Sequence, residues 1–186
     1  MLYPPVLPAV PGGPATFAPR FQALGAGPGQ YVAAGPAGVQ MGVFGWADPD
    51  TGTVSNSPQS ARDALGIVLN QYADWGRVYY QAVAAAGLPG YFLRAGLPVT
   101  VAIQGEFWLC FAAGCQPGQS VYASRLDGSA ATTPGALWYA NSTLVPANST
   151  LYSASGGTSD LTPFQTATGC NPGGLAIVTS YGGYNA

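Results

Sequence analysis

Val39, Met41 and Val43 alternate with Gln40 and Gly42, and the apolar run continues through Phe44 and Trp46. Val99, Val101 and Ile103 alternate in the same way with Thr100 and Ala102. A period of two belongs to a half-buried β-strand, so strands are expected over residues 39–46 and 99–103. Further candidates are Phe107 to Phe111 (FWLCF), Ser120 to Ala123, Leu137 to Ala140 and Leu175 to Thr179. Turn-forming residues separate these runs: Gln116-Pro117-Gly118, Asp127-Gly128, Pro134-Gly135 and Asn171-Pro172-Gly173-Gly174. The most specific turn is Asp48-Pro49-Asp50-Thr51-Gly52. Pro49 presets φ, Asp48 can accept from backbone beyond it, and Gly52 tolerates positive φ. Many short strands at this spacing predict an all-β body, either a jelly roll or β-sandwich or a small, flared, tulip-like β-barrel. At most one short helix is expected, at Tyr72 to Ala86, where Ala-rich residues precede Gly87 and Pro89. Gly76 and the run Val78-Tyr79-Tyr80 weaken it, so helix and strand both stand there. Asn141 to Leu144 and Asn148 to Leu151 repeat the sequence NSTL, which reads as a local duplication on an exposed loop.

The pattern changes at the N-terminus. Residues 1–30 hold Pro4, Pro5, Pro8, Pro11, Pro14, Pro19 and Pro28 among the 17 prolines of the chain. Such a segment favours polyproline II or irregular extension over helix or central strand. It also carries Leu2, Tyr3, Val6, Leu7, Val10, Phe17 and Phe21, whereas a pure linker would be polar. Two units are therefore expected: an extended arm over 1–30 and a single β domain over 31–186. An apolar arm lies either on its own sheet or across a neighbour, and its apolar content fits both.

Composition sharpens this picture. Apolar residues make up 48% and aromatics 12% of 186 residues, enough for a core despite 27 Gly and 17 Pro. Only 6% of residues are charged, against roughly a quarter in ordinary domains. There is no Lys and no His; the five cations are Arg20, Arg62, Arg77, Arg94 and Arg125. A surface of Ser, Thr, Asn, Gln and Gly suits a protein held against neighbours, because interface cores are depleted in charge. Arg is the cation best fitted to interfaces. The net charge is −2 and the cations are scattered, so no basic patch is available for nucleic acid. No uninterrupted run of eighteen apolar residues exists to span a membrane. With no Lys or Arg before Arg20, the N-terminus does not read as a signal peptide. Synthesis in a cytoplasm follows, with reduced thiols. Cys110, Cys115 and Cys170 then read as small hydrophobes, with a Cys110–Cys115 disulfide across Ala112-Ala113-Gly114 the less favoured alternative.

The same inventory bears on chemistry. Without His, the Ser-His-Asp and Cys-His arrangements are excluded; without Lys, so are a Schiff base and a P-loop. Zinc needs about four Cys or His ligands, and three Cys fall short, so neither metal nor cofactor is expected. Glu106 is the only Glu. A glycosidase pair would need it beside Asp48, Asp50, Asp63, Asp74, Asp127 or Asp160, and nothing in the spacing joins them. Residues 48–52 echo a calcium loop but lack its later ligands, so a plain turn is the better reading. Trp46, Phe107, Trp108 and Trp138 sit in apolar runs, where burial is the default. Tyr181 and Tyr184, among glycines, are better candidates for exposure.

Four blocks taken together resemble a known family. They are FGWADPDTGTVSN (Phe44 to Asn56), the pair Gly96 to Ile103 and Gly105 to Phe111 (GEFWLCF), VYASRLDGSA (Val121 to Ala130), and Gly174 to Val178. With AAGPAGV at Ala33 to Val39 and the Pro-rich start, they resemble the cement, or decoration, proteins that coat the heads of some tailed bacteriophages. The likeness is weak over 72–95 and 138–171. It implies a non-enzymatic virion protein on the outer surface of the mature head, bridging neighbouring major capsid proteins as a dimer or trimer. Contacts are then expected from Leu2, Tyr3, Val6, Leu7, Phe17, Arg20 and Phe21. The alternative is an extracellular or virion-surface β-sandwich that binds glycans through exposed aromatic pairs.

Overall fold

The computed structural model describes residues 9, 11–15, 21–24, 30–36, 38–70, 92–132 and 159–181. Among them the chain forms fourteen strands and no helix. In order they are Gln22–Ala23 (β1), Tyr31–Ala33 (β2), Val39–Gln40 (β3), Phe44–Asp48 (β4), Thr53–Ser55 (β5), Ala64–Val68 (β6) and Phe92–Leu93 (β7). Then follow Pro98–Val99 (β8), Val101–Gln104 (β9), Glu106–Phe111 (β10), Ser120–Ser124 (β11), Ala130–Ala131 (β12), Ser159–Thr166 (β13) and Gly174–Thr179 (β14). Five strands close into a barrel, β10-β12-β11-β13-β14. Seven build a second sheet, β1-β9-β6-β4-β5-β2-β8, and β3 pairs with β7.

Alternation in β10 explains the barrel. Phe107, Leu109 and Phe111 are buried, and across the antiparallel ladder Phe107 faces Val178 and Leu109 faces Ala176, both buried. The outward pairs are Trp108 with Ile177 and Cys110 with Leu175. One core joins the barrel to the sheet, through Phe44, Trp46, Ile67, Leu69 and Ala102 on the sheet side and Phe107, Leu109, Phe111, Val121 and Phe164 on the barrel side. A second core lies on the sheet's other face: Ala33, Val39, Met41, Ala47, Val54, Val68, Leu93, Val99 and Val101. The all-β expectation holds, with layers packed as in a sandwich and one of them a closed barrel.

The local details differ from the sequence reading. Residues 39–46 are not one strand. β3 ends before a turn at 41–43, where Gly42 has φ +77° and the chain at Pro11 crosses above it. A Cβ on Gly42 would stand 2.5 Å from Pro11 Cβ. The expected 99–103 strand divides at Thr100, because β8 pairs with β2 and β9 with β1 and β6. Thr100, Val101 and Ala102 are all buried, so this run is covered on both faces. Strands β6 and β13 were not anticipated. Pro163 falls inside β13 where its register against β11 shifts, which is where a strand tolerates a missing N–H. The 72–86 segment, Leu137 to Ala140, Pro134-Gly135 and the NSTL repeat lie outside the described residues.

Candidate functional site

Pieces of the Pro-rich arm are built into the wall of the body. β10 pairs with β14 along one edge, while its other edge meets β12 only at Phe111. Residues 12–15 pair with the first half of that second edge. Gly12 N–H donates to Trp108 O at 2.7 Å, Trp108 N–H to Gly13 O at 3.0 Å, and Ala15 N–H to Glu106 O at 3.0 Å. Asn70 N–H donates to Gly12 O at 3.1 Å, tying the same segment to the end of β6. Gly12 and Gly13 are buried, so these bonds satisfy edge groups that would otherwise be costly to bury. Further along, β1 pairs with β9, and Leu24 N–H donates to Val101 O. Where it is described, the arm lies on its own domain.

Of the expected contact residues, Phe21 is described, while Leu2, Tyr3, Val6, Leu7, Phe17 and Arg20 lie outside the described residues. Phe21 packs edge-on against Phe107, with ring centroids 6.2 Å apart, and remains 37% exposed. Phe107 contacts Phe164 at 6.2 Å, and Phe164 contacts Phe44 at 6.1 Å. Phe21 is thus the solvent end of a file of four rings that begins in the central core. It sits at the corner where β9 becomes β10 through the single residue Gly105. There Gly105 N–H donates to Ser180 Oγ at 2.8 Å, and Ser180 N–H to Gly105 O at 3.1 Å. Tyr181 follows directly and is exposed, as its glycine-rich surroundings suggested. Together with Leu161 these are the exposed large apolar side chains among the described residues.

The Asp48 turn forms as its chemistry dictates. Asp48 Oδ1 accepts from Asp50 N–H at 2.8 Å, Oδ2 accepts from Thr51 Oγ1 at 2.8 Å, and Gly52 has φ +68°. The Asp50 N–H first, and the Thr51 hydroxyl next, hold the Asp48 carboxyl below its ordinary range. Both carboxylate oxygens are engaged by the turn itself. The turn borders an open polar cleft of about 470 Å³, lined also by Thr53, Ser55, Asn56, Ser57 and Gln59. Arg62 pairs with Asp50 at 3.1 Å, and Arg125 approaches Asp160 at 3.6 Å. Asp160 also accepts from Trp46 Nε1 at 3.2 Å. Among the described residues, no three His, Cys, Asp or Glu side chains gather to hold a metal. No described helix is long and apolar enough to cross a membrane.

The three cysteines are free thiols, as the favoured reading expected, and the less favoured Cys110–Cys115 pairing is not formed. The neighbour of Cys115 is Cys170. Cys115 and Cys170 form an isolated antiparallel bridge, and their sulfurs are 3.6 Å apart as free thiols. Cys110 is exposed on the outer face of β10, with Sγ 3.6 Å from Gly173 O. The sequence separation of 55 residues hid this pair.

A protein-family profile described as XM1 gp53 minor capsid protein matches residues 6–179. No curated protein matches the chain.

Proposed function

Because this chain belongs to the XM1 gp53 minor capsid protein family, a family of phage capsid proteins, we propose that it is a cement protein on the outside of the mature head. In this reading it bridges neighbouring major capsid proteins, and copies associate as a dimer or trimer on the shell. The observation that carries it is a charge-poor surface in a capsid family. The chain has five Arg and no Lys, and two of those Arg are already near carboxylates in their own fold, Arg62 at Asp50 and Arg125 at Asp160. Little cationic surface is left for packaged DNA, while a neutral polar surface suits a protein–protein contact. A role without catalysis fits the absence of His and Lys.

The mechanism is linkage. A protein that binds the assembled shell and not its dissociated parts stabilises the shell by mass action, and many copies sum. Each contact needs about 1,000 Å² or more. The apolar residues Leu2, Tyr3, Val6, Leu7 and Phe17, with Arg20 and the exposed edge of Phe21, are the proposed contacts. A polyproline-like arm loses little entropy on docking. After synthesis in the bacterial cytoplasm, the protein would join heads that have expanded.

The test is co-sedimentation of purified protein with expanded heads and with unexpanded procapsids of the phage that encodes it. Saturable binding to expanded heads alone is expected. Binding to neither form would discard the cement reading.

A further inference from the structure

We infer that Cys115 and Cys170 are a disulfide-forming site, kept as two thiols in the reducing cytoplasm and joined once the particle reaches an oxidising medium. Only a virion location is needed for this, not the cement reading, because any capsid protein leaves the cell with its particle. Cys115 lies in the connection from β10 to β11 and Cys170 in the connection from β13 to β14, at one end of the barrel. Each donates its backbone N–H to the other's carbonyl at 3.0 Å. Antiparallel residues that exchange both bonds stand with Cα atoms roughly 5.5 Å apart, inside the roughly 4.4–6.8 Å that a disulfide spans. The sulfurs already touch at 3.6 Å. The loops are clamped around them: a Cβ on Gly114 would stand 2.7 Å from Cys170 O, and one on Gly169 3.0 Å from Cys115 O. Bond formation therefore asks for side-chain rotation and no loop rearrangement.

The oxidant is a small-molecule disulfide such as oxidised glutathione. Cys170 is the less buried of the two, and its thiolate attacks one glutathione sulfur and expels the other as thiol. Cys115 then attacks the Cys170 sulfur of the mixed disulfide and expels the second glutathione. Two cysteine protons end on two glutathione thiols, and the protein loses two electrons to the reagent. Burial, the larger cause, raises the Cys115 thiol above its ordinary range and persists once Cys170 is a mixed disulfide, so the second step quickens with alkalinity. The bond closes a loop of 55 positions, a length at which cross-linking restricts the unfolded chain substantially.

The test uses the full chain, purified under reductant and incubated with oxidised glutathione at mildly alkaline pH, then alkylated in denaturant and mapped without reduction. An intrachain Cys115–Cys170 peptide is expected, together with a melting temperature higher by roughly 5–15 °C that reductant reverses. Cys110→Ala should keep the gain and Cys170→Ala should lose it. Alkylation of both Cys115 and Cys170 after incubation would overturn the inference. So would cross-links through Cys110 or between chains, or an undiminished gain in Cys170→Ala.

Discussion

At the residue scale, Asp48 shows how far a single side chain can be read. Its carboxylate takes a proton less readily in the fold because the Asp50 N–H and the Thr51 hydroxyl bind the charged form. A depressed folded pKa gives stability that is present above the unfolded value, 3.8, and is lost as pH falls through the folded one. Asp48→Asn keeps an acceptor for the Asp50 N–H but has no carboxyl to titrate. Its melting temperature should therefore fall less than that of the unaltered chain between about pH 5 and about pH 2. Parallel acid profiles, measured by circular dichroism, would show that the turn contributes nothing through this charge. The turn residues were legible in the sequence because the whole motif acts within five positions. The cysteine pair was not, since nothing local to Cys115 points to a residue so far along the chain.

At the element scale the strands divide by how they are covered. FWLCF was legible as a short apolar run, whereas its one face in the barrel and one outside left no polar–apolar alternation to read in the sequence. The run at 99–103 was misread as one half-buried strand because residues 99–102 are buried on both faces and the chain changes partners at Thr100. β13 was passed over although Thr162, Phe164 and Thr166 alternate inward, because Pro163 reads against a strand until the register shift beside it is known. β9 and β10 were separated correctly at Gly105, but its role as the corner joining sheet to barrel needed the fold. Gly105 has φ +140°, and a Cβ there would stand 2.8 Å from the Phe107 ring and 2.9 Å from Phe21 Cβ. Phe21 stands at the solvent end of the aromatic file, but the Phe107 ring cannot yield without moving off Phe164. Gly105→Ala should cost about 2–4 kcal/mol, combining strained backbone with overpacking. Urea unfolding would measure it, and a loss under about 0.5 kcal/mol, the range of neutral surface changes, would show that the corner is not constrained.

At the scale of the whole molecule, the arm has one structural role and one proposed role that a single deletion would confuse. Residues 12–15 hydrogen-bond to β10, and Asn70 bonds to Gly12, so removing residues 1–21 strips an edge of the barrel as well as the proposed capsid contacts. Removing residues 1–8 takes away Leu2, Tyr3, Val6 and Leu7 and leaves that edge paired. The two truncations should therefore separate. Loss of 1–21 removes three backbone bonds to β10 and one from Asn70. At roughly 1 kcal/mol each, this should lower the melting temperature by on the order of 5–15 °C. Loss of 1–8 should leave melting within about 2 °C, a shift of the size expected from less than 1 kcal/mol, while reducing the copies retained on expanded heads. If the shorter truncation keeps full occupancy and equally stable heads, the contacts lie elsewhere on the body. The corner of Phe21 and Tyr181 would then be the next surface to mutate. If instead it melts as low as the longer one, residues 1–8 belong to the fold, and the arm's apolar side chains are core rather than interface.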